Sequence, residues 1–329
     1  MMKQMVVFVV LAMVVAWSSQ AAVTQGGPFS VAGTGVLSEN ASATWVNNSV
    51  GGSNHVQVVT GSEVMVYQEM WDLPTTISSF IFDGGERAFG GDIYVATHPG
   101  GPCDTLVTSF SAPVDWSTAL VNVSTRTVYG VRVEFNQAVA LGKDHQQLAH
   151  LSIFSSPLGD NLALGMPTIQ SNPDVIYRDG GSVTDSNLGS EWRATGSADV
   201  NWIGFEVPDG GTIDIDYIRV TMACMHGTQW AWHDFDVQLK RNGKWEDAVI
   251  RVNVPASESI CWISLGEVMT VEGIRLYGSV EGGNNPVVNG SGLIVDDIMA
   301  FNTVAAGIPE PATMSLLALG GLALLRRRT

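Results

Sequence analysis

Residues 201–207 read Asn-Trp-Ile-Gly-Phe-Glu-Val, and residues 216–222 read Asp-Tyr-Ile-Arg-Val-Thr-Met. In the first stretch Trp202, Gly204 and Glu206 share one face and the residues between them share the other. In the second stretch polar and apolar residues alternate in the same way. Successive side chains of a β-strand point to opposite faces, so this alternation predicts two half-buried strands. Turn-forming residues separate them.

The same pattern extends along the chain, and no long apolar repeat of helical period interrupts it between the two ends. Gly, Ser, Thr and Val dominate, which favours strands and turns. The run Arg241-Asn242-Gly243-Lys244 is a strong signal for a hairpin. The sequence thus predicts an all-β chain, with further strands at 56–59, 63–67, 77–82, 92–96, 128–135, 148–154, 235–239, 271–277 and 292–301.

The two halves of the chain repeat this pattern of strands and turns. Between them lies a linker at 155–160 with the sequence Ser-Ser-Pro-Leu-Gly-Asp. The segment 129–133 corresponds to 272–276, and 148–154 corresponds to 295–301. Both pairs lie about 145 residues apart, which is one domain length. We therefore expect two tandem domains, at 22–156 and 157–303.

The first 21 residues have the composition of a secretory signal peptide. Lys3 supplies a positive start, an apolar run covers 5–17, and small residues at Ser19 and Ala21 suit cleavage after Ala21. The apolar run is too short for a transmembrane helix. The mature protein is therefore expected to begin near residue 22, outside the cytoplasm.

The last residues combine three features in order. Pro309-Glu310-Pro311 is followed by an apolar run at 312–325 and then by Arg326-Arg327-Arg328. As a helix the apolar run would be about 21 Å long, which is short of the roughly 30 Å hydrocarbon core of a bilayer. The three arginines would stay on the cytoplasmic side.

This tail resembles the PEP-CTERM sorting signal of Gram-negative bacteria, which an exosortase recognises in the membrane and processes. The resemblance implies that residues 304–329 are a hydrophobic sorting helix and that an exosortase-type enzyme is a partner. It also implies transient attachment to the inner membrane through the tail. The expected final location is the cell surface or the extracellular matrix.

The formal net charge of −16 argues against one class of partner. An acidic chain is repelled by a phosphate backbone, so nucleic-acid binding is not expected. An excess of carboxylates does suit Ca²⁺ coordination.

The three cysteines leave two alternatives open. Cys224 and Cys261 lie in the same half and could pair in an oxidising compartment, or they could be two separate thiols. Cys103 has no obvious partner.

A second resemblance begins at Asn161. Residues 161–167, Asn-Leu-Ala-Leu-Gly-Met-Pro, resemble the opening of coagulation-factor type C (discoidin) domains. The resemblance extends to residue 302 and implies a jelly-roll β-sandwich of the galactose-binding-like class. Residues 22–156 are similar to a diverged copy that lacks the opening motif. The further matching motifs, in order, are a loop ending at Trp192, strands at 202–207 and 215–220, a hairpin at 235–245, and strands at 274–276 and 297–298.

The discoidin resemblance also implies a structural Ca²⁺ ion in the second domain. Matched residue by residue, its ligands are Asp185, Ser190 and Asp297, with backbone carbonyls near Asn187. Asp297 stands where Glu is usual, and its reach is shorter. The alternative is that Asp185 only caps a turn. In the first domain His150 stands at the position of Asp297, so a matching site is not expected there.

A loop rich in aromatic and polar residues is the candidate ligand site. Sugar rings stack on exposed aromatic faces, while His, Gln and Asp side chains hydrogen-bond hydroxyl groups. The alternative is structural, because Trp230 and Trp232 share the parity of one strand face and that face can be buried. Trp192, Trp202, Trp245 and Trp262 are expected in the core. The candidate ligand residues are His226, Gln229, Trp230, Trp232, His233 and Asp234.

The sequence contains none of the common catalytic motifs, such as Gly-x-Ser-x-Gly, His-Glu-x-x-His or a P-loop. We therefore expect a secreted, non-catalytic protein that binds extracellular polysaccharide or glycoconjugate. The alternative is a structural matrix or adhesion protein that binds protein partners.

Overall fold

The all-β prediction is confirmed for the part of the chain that the computed structural model describes. Its regular structure consists of strands, with a short 3-10 turn at Pro208–Gly210. None of its helices is long and apolar enough to span a bilayer. The predicted signal peptide and sorting tail lie outside it. The described residues are 22–32, 44–46, 56–58, 64–84, 89–112, 117–135, 146–155, 157–171, 183–193, 201–222, 231–254, 260–278 and 294–303.

Residues 22–155, here called the N-terminal half, contribute one antiparallel sheet of eight strands. These are β1 (Ala22–Ala32), β2 (Thr44–Val46), β3 (Val56–Val58), β4 (Val64–Gly84), β5 (Phe89–Ala96), β6 (Thr105–Ala112), β7 (Thr118–Phe135) and β8 (Gln146–Phe154). Their order in the sheet is β2-β1-β8-β4-β7-β5-β6, and β3 also pairs with β8.

Residues 157–303, the C-terminal half, form three smaller sheets. The strands are β9 (Thr168–Gln170), β10 (Trp192–Arg193), β11 (Asn201–Glu206), β12 (Ile213–Thr221), β13 (Asp234–Arg241), β14 (Lys244–Asn253), β15 (Ile260–Val271), β16 (Gly273–Gly278), β17 (Ile294–Val295) and β18 (Asp297–Phe301). A five-stranded sheet has the order β14-β13-β16-β11-β9, a three-stranded sheet has the order β15-β12-β18, and β10 pairs with β17.

The core of the C-terminal half lies between its five-stranded and three-stranded sheets. Ile203 and Phe205 on β11 and Leu276 on β16 point into it from one side. Ile218 and Val220 on β12 point into it from the other. Full burial of each such side chain contributes about 1.5–3 kcal/mol. This half is therefore a β-sandwich, and the apolar residues of the alternating sequence pattern form its core.

Both halves pair their strands in the same order. In the C-terminal half β11 and β13 flank β16, and β15 and β18 flank β12. In the N-terminal half the first part of β4 and β5 flank the second part of β7. The first part of β7 and β8 flank the second part of β4. The topology is thus repeated, except that β4 and β7 each run through both layers as one long strand.

Strand β4 joins two strands that the sequence analysis separates at 63–67 and 77–82. The intervening residues contain Pro74, which ordinarily interrupts a strand. Here the pairing with β7 shifts register between Met70 and Thr75. A proline in such a bulge does not need to donate a ladder hydrogen bond, so the strand continues past it.

The predicted hairpin turn is confirmed between β13 and β14. Arg241 pairs with Lys244, and the two central residues, Asn242 and Gly243, have φ values of 50° and 72°. Positive φ at both positions is what an Asn-Gly turn provides. Cys261 lies on β15 opposite Val220, while Cys224 lies outside the described residues.

The three-stranded sheet is covered on both faces, because its outer face packs against the N-terminal half. We call this contact the seam; it joins β12, β15 and β18 to β4, β7 and β8. Trp262 packs at its edge, with its ring centroid 5.1 Å from that of Phe154 and 5.9 Å from that of Phe301. The buried apolar residues of the seam are Ile81, Phe154, Leu158, Tyr217, Met299 and Phe301.

A buried ion pair crosses the seam. Arg219 on β12 donates from Nη2 to Oδ2 of Asp83 on β4 at 2.5 Å, and both side chains are fully buried. Thr118 donates to Oδ1 of Asp83 at 2.8 Å, and Nδ1 of His150 lies 3.2 Å from Oδ2. Burial alone would raise the pKa of Asp83, but the Arg219 charge and the His150 and Thr118 hydrogen bonds together hold it below its usual value. Burial lowers the pKa of His150, so its ring is neutral at pH 7.

We expect the substitution Arg219→Met to lower the free energy of unfolding by about 3–5 kcal/mol, because Asp83 is left buried without its counter-charge. Chemical denaturation followed by tryptophan fluorescence measures the change. Arg241→Met is the matched control, since Arg241 pairs with Glu246 at 2.6 Å in a surface pair whose side chains are 41% and 46% exposed. That control should change stability by less than about 1 kcal/mol. If both variants lost the same free energy of unfolding, the Arg219–Asp83 pair would contribute no more to stability than a surface pair, and the prediction would be wrong.

Candidate ligand and cation sites

The structure describes only half of the predicted ligand residues. His226, Gln229 and Trp230 lie outside the described residues. Trp232 and His233 are buried. Asp234 is half-buried and begins β13.

Trp232 belongs to the core of the C-terminal sandwich. Its ring centroid lies 5.8 Å from that of Trp192 and 5.8 Å from that of Phe235, and the residue has no exposed surface. A ring in this position has no free face for a sugar. Trp232 therefore fits the packing alternative of the sequence analysis rather than the ligand-contact one, and the same burial removes His233 from the accessible surface.

The loop at 183–190 contains the first predicted cation ligands. Oδ1 of Asp185 accepts a hydrogen bond from the backbone N–H of Asn187 at 2.9 Å, and Oδ2 accepts one from the Ser190 hydroxyl at 3.2 Å. Partial burial raises the pKa of Asp185, against the effect of these hydrogen bonds. Asp185 thus caps a turn, as the alternative interpretation holds, and keeps Ser190 within reach of the same carboxylate.

Asp297 is the other predicted acidic ligand, and it is fully buried. Neither of its carboxylate oxygens has a hydrogen-bond partner in the part of the chain that the structure describes. Burial raises its pKa to about 8, with Arg219 opposing and Asp185 and Asp83 adding to the rise. The Ser186 backbone is near enough to lower this pKa slightly. No hydrogen bond of good geometry results, so the carboxyl remains an unsatisfied buried group.

A bound cation would displace the proton that this raised pKa leaves on Asp297, and the resulting carboxylate would then pair with the cation. Asp185 and Asp297 supply the charge, and Ser190 and the backbone near Asn187 supply neutral oxygens of the kind that Ca²⁺ accepts. The described residues contain no group of three His, Cys, Asp or Glu side chains that could hold a metal. A cation here would therefore depend on hydroxyl, carbonyl and water ligands in addition to two carboxylates.

The cation loop and the described base of the ligand loop both lead to β17 at one end of the C-terminal sandwich, which we call the loop end. Strand β10 leaves the 183–190 loop and places Trp192 opposite Val295 on β17. Ala231, the first described residue after the ligand loop, forms a bridge with Ile294 on the same strand. Asp297 follows directly on β18. A two-residue strand thus connects the cation loop to the base of the ligand loop.

In the N-terminal half, His150 occupies the place that the repeat assigns to Asp297. It is fully buried and faces Asp83. A neutral imidazole bonded to a carboxylate that already pairs with Arg219 offers no free ligand set for a cation. His150 instead takes part in the contact between the two halves.

The sequence analysis missed one cluster of aromatic residues around a charge. Guanidinium carbon Cζ of Arg275 on β16 lies 5.3 Å from the ring centroid of Trp202, 4.4 Å from that of Trp245 and 5.2 Å from that of Tyr277. All four side chains are half-buried on the outer face of the five-stranded sheet. We call this cluster the Arg275 platform.

The prediction that Trp202 and Trp245 lie in the core is wrong, whereas it is correct for Trp192. Strand alternation explains the difference: Ile203 occupies the core face of β11, so Trp202 and Glu206 share the outer face. The signal was present in the sequence, because a face that carries Glu is the solvent face. Trp262, also expected in the core, lies half-buried at the seam.

Comparison with known families gives one match, to the PEP-CTERM protein-sorting motif over residues 307–328. The predicted sorting tail is thereby confirmed, including Pro309, Glu310 and Pro311. The motif marks an exported protein that is sorted at the cell envelope, and it implies an exosortase-type processing partner. No curated protein matches the chain.

Solved structures similar to this chain include two carbohydrate-binding modules. Chitosan-binding module 2 of a Paenibacillus chitosanase/glucanase, solved with chitotriose, is 16% identical; the match covers 43% of this chain and 100% of that one, with a TM-score of 0.36. The family 32 module of C. perfringens NanJ, solved with galactose, is 13% identical over 42% of this chain and 94% of that one, with a TM-score of 0.36.

An enzyme is also among the similar structures. Allantoicase is 11% identical, and the match covers 76% of this chain and 78% of that one, with a TM-score of 0.33. The ligands and activities named here belong to those proteins.

In the absence of divalent cations, we expect Asp297 to make stability fall as the pH rises. With its pKa raised to about 8 from the ordinary 3.8, the folded protein keeps this proton through the interval in which the unfolded chain loses it. The folded state then binds more protons, so the free energy of unfolding declines from about pH 4 until the pH passes about 8. Urea unfolding at several pH values in EDTA measures the slope.

The variant Asp297→Asn cannot titrate and is the control for this prediction. Subtracting its pH profile from that of the wild type isolates the Asp297 contribution from those of other carboxylates. If the free energy of unfolding changed with pH in the same way in both proteins, Asp297 would have no raised pKa in the folded protein, and the prediction would be wrong.

Proposed function

We propose that this chain is an exported, surface-sorted, non-catalytic protein that binds extracellular polysaccharide or glycoconjugate through the loop end of its C-terminal half. The observation that carries the proposal is the convergence at β17 of the cation loop and the base of the ligand loop. Loops that leave a rigid sandwich at one end are the usual place for recognition residues.

The sorting tail sets where this binding takes place. A chain marked for the envelope by its PEP-CTERM motif meets polymers of the cell surface and matrix. In this proposal the signal peptide at 1–21 directs export, and the apolar helix holds the chain in the inner membrane only until an exosortase processes it. Binding then occurs outside the cytoplasm.

Within the loop, Trp232 and Trp230 take different roles. Trp232 packs against Trp192 and holds the C-terminal base of the loop on the core. Trp230 then remains as the aromatic face for a sugar ring, with His226 and Gln229 as hydrogen-bonding neighbours. Asp234, half-buried at the start of β13, is the remaining polar group at the base.

A Ca²⁺ ion bound to Asp185 and Asp297, with Ser190 and backbone oxygens near Asn187, would brace this end. It would satisfy the carboxylate of Asp297, which has no hydrogen-bond partner among the described residues, and would fix the 183–190 loop on the core. The ion supplies charge and rigidity. The residues of the chain make the contacts with the ligand.

The non-catalytic part of the proposal rests on the absence of the common catalytic motifs from the sequence. The lining of one described cavity is consistent with it. An open cavity of about 550 Å³ lies against β6 and the start of β7, lined by residues 109–112 and 117–122. These are small, hydroxyl, amide and apolar residues, without a carboxylate pair of the kind that glycoside hydrolysis requires.

We expect the full mature chain to bind glycans on an array of neutral and acidic oligosaccharides, and Trp230→Ala to weaken that binding about tenfold or more through loss of ring stacking. Trp232→Phe is the matched control, because it keeps an aromatic ring in the core and should leave the glycan profile unchanged. Absence of any glycan binding by the wild type, together with binding to surface proteins, would favour the matrix or adhesion role instead.

Added Ca²⁺ should raise the melting temperature of the wild type and leave that of Asp185→Ala unchanged. At a hundredfold excess over its dissociation constant a ligand specific for the folded state stabilises by about 2.7 kcal/mol. Asp214→Ala, a variant of an acidic surface residue on β12 outside the loop end, should respond to Ca²⁺ as the wild type does. A melting temperature that does not move in the wild type would remove the cation from this proposal.

A further inference from the structure

The Arg275 platform lies on a different surface from the loop end. Trp202 is directly opposite Tyr277 in the pairing of β11 with β16, and Arg275 is opposite Gly204. The hairpin strand β13 places Gln238 beside Arg275 from the other side. The residues that alternate with these on β11, β16 and β13 form the core, so the platform residues share the outer face of the five-stranded sheet.

Two glycines let the paired strands approach closely beneath this face. A Cβ atom at Gly204 would stand 2.0 Å from the backbone oxygen of Ile274, and one at Gly273 would stand 2.6 Å from that of Phe205. The Gly273 Cβ would also stand 3.2 Å from Cη2 of Trp245. The absence of a side chain at Gly273 therefore leaves space for the half-buried Trp245 ring against β16.

A chain of hydrogen bonds orients the guanidinium at the centre. Nε of Arg275 donates to Oε1 of Gln238 at 2.7 Å, and Nε2 of Gln238 donates to Oδ1 of Asp247 at 2.7 Å. The terminal nitrogens of Arg275 donate no hydrogen bond within the described part of the chain. They are donors held in a fixed plane among three rings and available to a ligand.

The charge around the platform is balanced. Burial lowers the pKa of Arg275, while Tyr277, Asp247 and Glu206 act in the opposite sense. Lys240 pairs with Glu206 at 2.7 Å. The whole chain is acidic as well, with a formal net charge of −16. These acids would oppose an anionic polymer and leave hydroxyl groups as the partners that suit the donors.

The N-terminal half shows that the fold does not require such a cluster. The segment 129–133 corresponds to 272–276, so Arg132 on β7 is the counterpart of Arg275 in the repeated topology. Arg132 forms an ion pair with Glu134 two residues along the same strand. Tyr94 on β5 is opposite Arg132, at the place that Gln238 holds opposite Arg275. The same strand pairing is therefore built with an ordinary surface ion pair.

We propose that the Arg275 platform is a second binding surface, at which a neutral polysaccharide chain stacks its pyranose rings on Trp245 and Trp202 and accepts hydrogen bonds from Arg275 through its hydroxyl groups. The inference rests on the proposed function and deepens it. It names neutral sugars as the ligand and the flat face of the five-stranded sheet as their binding site. A flat aromatic face suits an extended polymer, whereas a loop end suits a chain terminus or a branch.

The test is affinity electrophoresis of the full mature chain in gels that contain a soluble neutral β-glucan, a neutral galactan or polygalacturonate. We expect at least one of the neutral polymers to retard the wild type. Trp245→Ala and Arg275→Gln should each weaken that binding about tenfold or more, and Trp245→Phe, which keeps a ring, should retain most of it. Tyr94→Ala and Arg132→Gln are the matched controls on the N-terminal half and should bind within about twofold of the wild type.

Four outcomes separate the alternatives. If Trp245→Ala and Trp202→Leu bind as the wild type does while their unfolding midpoints fall, the platform is a structural stack and the inference is overturned. Retardation by polygalacturonate alone would overturn the assignment to neutral sugars. If no polymer retards the wild type and the glycan array is also blank, the proposed function itself fails. If binding is lost in Trp230→Ala but intact in the platform variants, this inference is overturned and the proposed function is supported.

Discussion

Complete burial of the Arg219 charge is the constraint on which the arrangement of the two halves depends. From Ile215 to Thr221 strand β12 has no solvent face: Ile218 and Val220 point into the C-terminal core, and Arg219 points into the seam. A guanidinium removed from water is tolerated only beside a counter-charge, and Asp83 of the other half supplies it. Any placement of the halves that separated these two groups without admitting water would leave a charge buried and unpaired. Charge therefore fixes the relative position of two surfaces that apolar contact alone would hold less specifically.

The seam also reaches the cation loop. The backbone N–H of Thr118 donates to the carbonyl of Ser186 at 2.9 Å, and Ser117 forms a bridge with Asn187. The 183–190 loop is thus held by its own sandwich on one side and by β7 on the other. A loop clamped in this way has little conformational entropy left to lose when a cation or ligand binds, which favours binding. The outer sheet face that carries Arg275 contributes an exposed surface of different shape to the same half.

How far the sequence could predict the structure differs from element to element. Alternation predicted β11 and most of β12, and the Asn-Gly pair predicted the hairpin, because both signals depend only on local backbone geometry. The continuous β4 could not be predicted, since Pro74 is tolerated only because the partner strand shifts register opposite it. Trp202 was placed in the core from its residue type, although the Glu206 on its own strand face indicated solvent. Trp232 and Trp230 share a parity, and only packing against Trp192 decides that Trp232 is interior.

By itself the sequence determined the all-β class, the sorting tail and the acidic residues of the loop end, because strand period, a terminal motif and residue chemistry are properties of short segments. Tertiary structure alone decided that the polar face of β12 is buried, that Asp297 has no hydrogen-bond partner among the described residues, and that three rings from different strands surround Arg275. Each of these depends on residues far apart in the chain meeting across sheets, and the free energy of a buried charge or a stacked ring is set by those neighbours rather than by the segment that carries it.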